Sequence, residues 1–142
     1  MSTLRQLAAI VFVDIEGFTA LMQRNEFLAM QWRERLKRKL QEETEKHFGK
    51  ILDFRGDGAL CSFTSTTEAV LAAIAVQIEM QKEPAVPVRI GLHTGDVVVN
   101  ENSIYGDGVN IASRIESFAV PGSIFISGKV YDDIKNQKEI QS

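Results

Sequence analysis

The sequence predicts an α+β fold, and three patterns support this prediction. Residues 7–13 are an almost unbroken apolar run rich in Ile and Val, which is typical of a central strand buried on both faces. Residues 26–48 repeat apolar side chains at multiples of four, which indicates a long amphipathic helix. Two short apolar runs flank the turn at residues 56–58, which indicates a hairpin. With 142 residues, 44% of them hydrophobic, the chain is long enough for one compact domain with a core.

The predicted elements alternate between strands and helices along the whole chain. Their expected bounds are a strand at 7–13, a helix at 26–48 ended by Gly49, strands at 51–54 and 59–63, a helix capped by Thr66 or Thr67 that runs towards Pro84, strands at 86–92 and 97–99, a helix at 109–118, a strand at 124–127 and a short helix at 130–134. The order strand, helix, strand, strand, helix, strand is the split βαβ, ferredoxin-like plan. We expect the helices to pack on one face of this sheet.

Composition limits the classes of partner. The net charge is -3, and the basic residues between 33 and 39 are offset by neighbouring Glu residues, so this stretch is interpreted as a solvated helix face. We therefore expect no nucleic-acid partner. No apolar run approaches the roughly 20 residues that a membrane span needs, so no direct membrane contact is expected. The single cysteine, Cys61, cannot form an intramolecular disulfide, which favours a reducing, cytoplasmic location.

Two acidic residues follow strand-like runs and are candidate metal ligands. Asp14 ends the first apolar strand, and Asp57 lies in the turn Arg55-Gly-Asp-Gly58, where we expect it to be exposed at the hairpin tip. Hard divalent cations prefer oxygen ligands, and carboxylates at strand ends can supply them. The pair therefore indicates a divalent metal site.

Two further segments suggest contacts to a phosphorylated ligand. Asn110 and Arg114 are four residues apart, so they project from one face of the predicted helix, where an amide and a guanidinium can hold a ribose and a phosphate. A helix is also expected to open at Glu16, Gly17, Phe18 and Thr19. Its free N–H groups can cradle phosphate oxygens, with Gly17 permitting close approach.

Together these segments resemble the catalytic domain of class III adenylate and guanylate cyclases, from residue 7 to about residue 134. The resemblance implies a class III nucleotide cyclase-like fold and attack of a ribose 3′-hydroxyl on the α-phosphate, with pyrophosphate leaving. It implies two Mg²⁺ or Mn²⁺ ions, held by Asp14, Asp57 and the backbone carbonyl of Ile15. It further implies that Asn110 positions the ribose and that Arg114 stabilises the transition state.

Two positions depart from the family's adenine-reading pattern. Asp53 occupies the position of the family's lysine, and Ser103 occupies that of its aspartate. An acid beside a small hydroxyl suits the donors and acceptor of guanine. Among bacterial-looking members of the family, however, adenylate cyclase is the commoner activity. The resemblance therefore favours an adenylate cyclase that forms cyclic AMP in signalling, with a guanylate cyclase as an alternative. A non-catalytic cyclase-like module for dimerisation or nucleotide sensing is the other alternative.

The resemblance also has implications for the oligomeric state and for the length of the domain. Family members bind the nucleoside triphosphate between two domains, and this chain holds both halves of the residue set. A homodimer with two composite sites is therefore implied. The family usually continues with a further strand pair that carries a lysine for the triphosphate. Residues 1–142 are accordingly expected to be a single cyclase domain that lacks these C-terminal strands, from a longer regulatory protein.

Overall fold

The computed structural model describes residues 3–100, 103–138 and 140. Its elements, in chain order, are β1 (Thr3–Ile15), α1 (Phe18–Arg24), α2 (Glu26–Lys46), β2 (Lys50–Arg55), β3 (Gly58–Phe63), α3 (Thr66–Gln81), β4 (Val88–Asn100), β5 (Ser103–Tyr105), α4 (Asp107–Phe118), β6 (Ile124–Ile126) and α5 (Gly128–Ile134). Within these residues, no helix combines the length and the apolar character that crossing a membrane requires.

The strands form one sheet in the order β2-β3-β1-β4-β5, and β6 pairs in parallel with β4. Neighbouring strands among β2, β3, β1 and β4 are antiparallel. This order and these directions are the predicted ferredoxin-like arrangement, so the α+β fold class is confirmed. Strand β1 lies at its centre, between β3 and β4.

The two faces of the sheet carry different helices. One face of β1, including Ala9, Val11 and Val13, packs with side chains of α2 and α3 in the larger core cluster. The other face presents Ala8 and Ile10, which cluster with Ala112 of α4. Helices α2 and α3 therefore share a face as predicted, whereas α4 packs on the opposite face.

Strand β4 differs from its prediction. Residues 93–96 were expected to separate two strands, but β4 runs without a break from Val88 to Asn100 and pairs with β1 throughout. Gly95, in the expected break, stays paired opposite Ala8. Gly91 permits close approach of α4, because a Cβ there would come within 2.4 Å of the backbone N of Glu116. Thr94 remains buried and hydrogen-bonds through its hydroxyl to that of Thr66, at 2.8 Å.

Two predictions about helix ends are also corrected. Helix α3 is capped by Ser65, whose Oγ accepts a hydrogen bond from the backbone N–H of Glu68 at 3.2 Å, so neither Thr66 nor Thr67 is the N-cap. Helix α2 ends at Lys46 rather than at residue 48.

The basic stretch of α2 makes tertiary contacts, contrary to its interpretation as a solvated face. Arg35 Nη2 donates to the carbonyl oxygens of Glu79 at 2.6 Å and Lys82 at 2.9 Å, at the end of α3. These acceptors belong to the last turn of a helix, where carbonyl groups lack helical partners. Arg35 therefore joins α2 to the C-terminus of α3.

Candidate active site

Asp14 and Asp57 are brought together by the pairing of β1 with β3. In this register Asp14 lies opposite Gly58, directly after Asp57. The backbone N–H of Ile15 donates to the carbonyl oxygen of Asp57 at 2.9 Å. A Cβ at position 58 would lie 2.8 Å from the carbonyl oxygen of Val13, so a glycine permits this close approach. Asp57 is partly buried rather than fully exposed, which corrects the expectation of an exposed tip.

Asp14 is held by an arginine from the neighbouring strand β4. Arg89 lies opposite Asp14 in the β1–β4 register. Its Nε donates to Asp14 Oδ1 at 3.0 Å and its Nη2 donates to Oδ2 at 2.8 Å. The hydrogen bonds with this carboxylate are the main cause that raises the pKa of Arg89. Such a bidentate pair fixes the orientation of the carboxylate as well as balancing its charge.

Glu116, from α4, lies close to both Arg89 and Asp14. Burial, followed by its hydrogen bond with Asp14 and the negative charges of Asp14 and Asp57, raises the pKa of Glu116 to about 7, while Arg89 offsets part of the effect. Its Oε2 lies 3.4 Å from Arg89 Nε and has no hydrogen-bond partner among the described residues. Asp14 and Asp57 therefore act electrostatically on Glu116, with Arg89 as the neighbouring cation.

Asp14 and Glu116 open onto a cleft of about 280 Å³, which Asp53, Arg55 and Ser113 also line. Asp53 carries an ion pair, since Arg55 Nε lies 2.8 Å from Asp53 Oδ2. The structure thus brings the proposed base-reading position Asp53 to the same cleft as Asp14.

Ser103 lies outside the cleft that Asp14 and Asp53 line. It starts the short strand β5 and lines a separate cleft of about 120 Å³, together with Gln6 and Lys50. The structure therefore does not place Ser103 beside Asp53 in one cleft of this chain.

Asn110 and Arg114 are both on α4, as predicted, and both are exposed. Within the part of the chain that the structure describes, neither side chain makes a hydrogen bond or an ion pair. They do not line the cleft that holds Asp14, whereas Ser113 and Glu116 of the same helix do. The amide and the guanidinium are therefore free to contact groups outside this chain.

The segment from Glu16 to Thr19 opens helix α1, which begins at Phe18. Gly17 is the N-cap with φ 75° and offers no side-chain cap. Glu16 is not available as a free donor, because its N–H donates to the carbonyl oxygen of Pro87 at 2.9 Å. Phe18 is buried, while Glu16, Gly17 and Thr19 are exposed.

The donor set at the strand ends suits a hard divalent cation. It comprises the carboxylates of Asp14 and Asp57, close to the backbone of Ile15, and all the candidate ligand atoms are oxygens. Among residues 3–100, 103–138 and 140, no group of three or more His, Cys, Asp or Glu side chains could hold a metal ion. A metal here would therefore need oxygens beyond the protein's own acids, as a bound phosphate or water supplies.

Sequence reasoning missed Arg89 and Glu116. A signal existed for Arg89, because a single arginine interrupts the apolar run that begins at Val86. Glu116 carried a weaker signal, since it lies in the same helix as Asn110 and Arg114 but on another face. Neither residue could be matched to Asp14 without the strand register.

This fold, with two acids joined at the strand ends and an Asn–Arg helix beside them, defines a nucleotide cyclase domain of class III. The chain belongs to the adenylate and guanylate cyclase catalytic domain family, whose model matches residues 2–142. It is 34% identical over 148 residues to the Rhizobium meliloti protein named "Putative adenylate cyclase 3". That match covers 96% of this chain but only 24% of the relative's length.

Solved structures of cyclases share the fold. An adenylate/guanylate cyclase/hydrolase from Silicibacter pomeroyi superposes with a TM-score of 0.85 at 32% identity, covering 99% of this chain and 85% of that one. The adenylyl cyclase CyaB from P. aeruginosa superposes with a TM-score of 0.85 at 25% identity, covering 96% and 84% of the two chains. These neighbours confirm the family and the α+β cyclase fold.

Proposed function

We propose that this domain converts ATP into 3′,5′-cyclic AMP and pyrophosphate. One observation carries the proposal: the β1–β3 register places Asp14 beside the Asp57 turn, at the edge of a cleft of about 280 Å³. A family member needs two acids at this point to hold its metals. ATP is favoured over other nucleotides because relatives from Rhizobium meliloti and Mycobacterium tuberculosis carry the name adenylate cyclase.

Asp14, Asp57 and the carbonyl group of Ile15 would hold two Mg²⁺ or Mn²⁺ ions. When bound, these ions supply the acidity that lowers the pKa of the ribose hydroxyl and the charge that neutralises the phosphate oxygens. Arg89 orients the carboxylate of Asp14 through two hydrogen bonds, at 3.0 and 2.8 Å. A carboxylate held in one orientation needs no rearrangement when its partner binds.

A second copy of the chain completes the site in this proposal. Asn110 and Arg114 are exposed, bond to no described side chain and lie outside the cleft of Asp14. In a two-fold symmetric dimer, the same surface of each copy faces the other. Asn110 of one copy then positions the ribose, and Arg114 stabilises the charge that develops on the phosphate held at the other copy's Asp14 and Asp57.

Guanylate cyclase activity is the second candidate, because of the side chains in the cleft. Asp53 accepts hydrogen bonds where adenine would need a donor, and the paired Arg55 supplies donors 2.8 Å away. Guanine presents N–H donors beside an O6 acceptor, so an acid next to a cationic donor matches its polarity.

The test is to incubate the purified chain with each nucleoside triphosphate and Mn²⁺ and to identify the products by mass spectrometry. We expect a cyclic nucleotide from ATP, and a loss of roughly a thousandfold or more in rate for Asp14→Ala and Asp57→Ala. Asp96→Asn, at an exposed aspartate of β4, is the matched control and should retain activity.

Circular dichroism of the two variants should show an unchanged fold. Turnover that survives in either Asp14→Ala or Asp57→Ala would refute the two-metal site. Nucleotide binding without any cyclic product would instead favour a non-catalytic sensing module.

A further inference from the structure

Helix α2 contacts the turn that carries Asp57 through Arg33. Arg33 Nε donates to the carbonyl oxygen of Gly56 at 2.6 Å, across 23 positions of sequence. The same guanidinium lies over the ring of Phe54, 4.7 Å from its centroid. Although Arg33 lies on the outside of the fold, only 20% of its side chain is exposed, so the group is held in place rather than extended into solvent.

The turn is held from its other side by β1. The N–H of Ile15 donates to the carbonyl oxygen of Asp57 at 2.9 Å. Two consecutive carbonyl groups, of Gly56 and Asp57, are therefore hydrogen-bonded to different elements, α2 and β1. Gly56 and Asp57 form the two-residue turn between β2 and β3. Gly56 has φ 48°, a conformation that glycine adopts without strain.

Arginine chemistry suits this contact better than lysine chemistry does. A guanidinium is planar, so it can stack on an aromatic ring while its N–H groups point in fixed directions within the plane. Lys37 also lies over Phe54, 5.8 Å from the centroid, but no hydrogen bond from it to the turn accompanies that contact. Arg33 therefore combines packing on β2 with a directed hydrogen bond to the turn.

We propose that Arg33 is a positioning residue that sets the orientation of Asp57 relative to Asp14. The inference rests on the proposed metal-binding role of Asp57. Strand pairing fixes the two ends of the turn, since Arg55 pairs with Gly58. The Gly56 carbonyl belongs to the peptide between Gly56 and Asp57, which lies outside this ladder, so the hydrogen bond from Arg33 is the contact that restricts rotation of that peptide. Because a metal site requires its ligands at defined distances, a residue that fixes the backbone beside a ligand affects metal affinity without touching the metal.

The experiment compares Arg33→Met and Arg33→Lys with Arg38→Met as the matched control. Methionine keeps a long unbranched side chain and a high helix propensity, so α2 should remain folded. Arg38 is an exposed arginine of the same helix, and its side chain has no hydrogen bond or ion pair to the described residues. Two quantities are measured for each variant: the hydrogen exchange rate of the Ile15 amide by NMR, and the Mn²⁺ dissociation constant by calorimetry.

We expect Arg33→Met to speed exchange of the Ile15 amide and to weaken Mn²⁺ binding, each by roughly tenfold. Arg33→Lys should give an intermediate result, and Arg38→Met should match the unchanged protein. The Ile15 amide is the direct reporter, because its acceptor is the carbonyl oxygen of Asp57. It reports on the turn even when no metal or nucleotide is present.

Unchanged Ile15 exchange in Arg33→Met would overturn the inference while leaving the proposed cyclase function intact. Faster exchange with unchanged Mn²⁺ affinity would overturn it as well, because the turn would then move without consequence for the metal. If the unchanged protein binds no Mn²⁺, both the inference and the metal site of the proposed function fail.

Discussion

Replacing Glu116 with Gln should change how the stability of the metal-free protein depends on pH. Glu116 is buried beside Asp14, and its pKa is raised from 4.5 to about 7. A carboxyl group whose pKa is higher in the folded state stabilises that state while it is protonated, below its unfolded pKa. This contribution is lost as the pH rises through the folded pKa. The wild-type protein should therefore lose this contribution to its stability between about pH 4.5 and pH 7. Glu116→Gln, which does not titrate, should show no such loss.

The magnitude follows from the two pKa values. Linkage between 4.5 and about 7 gives a difference of roughly 2–3 kcal/mol in the free energy of unfolding between pH 5 and pH 8 for this one group. Gln is a suitable replacement because its N–H₂ can donate to Asp14 while its oxygen can accept from Arg89. The free energy of unfolding of Glu116→Gln, relative to the wild type, should therefore increase steadily over this pH range.

Urea unfolding at fixed protein concentration in EDTA, from pH 5 to pH 8.5, measures the effect. Groups that titrate equally in both proteins, such as His93, cancel in the difference. If the free energies of unfolding of the two proteins change with pH in parallel, within about 0.5 kcal/mol, Glu116 is ionised in the folded state across the range. The raised pKa of Glu116 would then be wrong.

Two further predictions concern the assembled enzyme. Asp57→Ala and Arg114→Ala, each inactive alone, should regain partial activity when mixed, because a heterodimer places both lesions in one composite site and leaves the other whole. If activity does not recover although mass spectrometry demonstrates subunit exchange, the result would argue against a shared site. Replacing Asp53 with Lys and Ser103 with Asp should raise the ratio of kcat/KM for ATP over GTP by roughly one to two orders of magnitude. A constant ratio would show that the base is read elsewhere.

Local patterns were sufficient for most of the elements and for selecting the two acids that the structure brings together. Asp14 was identified because a buried strand ends beside it, and Asp57 because glycines on either side mark a turn. Both signals depend on residues that are close in sequence. The class of fold followed from the order of such elements, since connection rules leave few arrangements for that order.

The contacts of Asp14 could not be predicted in the same way. Arg89 is 75 positions away in sequence, and only the register of β1 against β4 places it opposite. Periodicity shows which face a side chain occupies but not which residue it meets on the next strand. The break expected at residues 93–96 was wrong for a related reason: the local sequence does not show that Gly95 stays paired with Ala8 of β1.

The position of β1 in the sheet has a consequence for how this domain can evolve. Asp14 belongs to the central strand, and its carboxylate is bonded to Arg89 of β4, so a substitution there also removes a contact with the neighbouring strand. Asp53, Arg55 and Ser103 belong to β2 and β5, the outer strands of the ordered path. Substitutions at such margins usually alter stability by only about 0.5 kcal/mol. If Asp53, Arg55 and Ser103 read the base as proposed, substrate preference can change by mutation of the outer strands while Asp14 in the central strand is retained, which makes the outer strands the natural target for directed evolution of nucleotide preference.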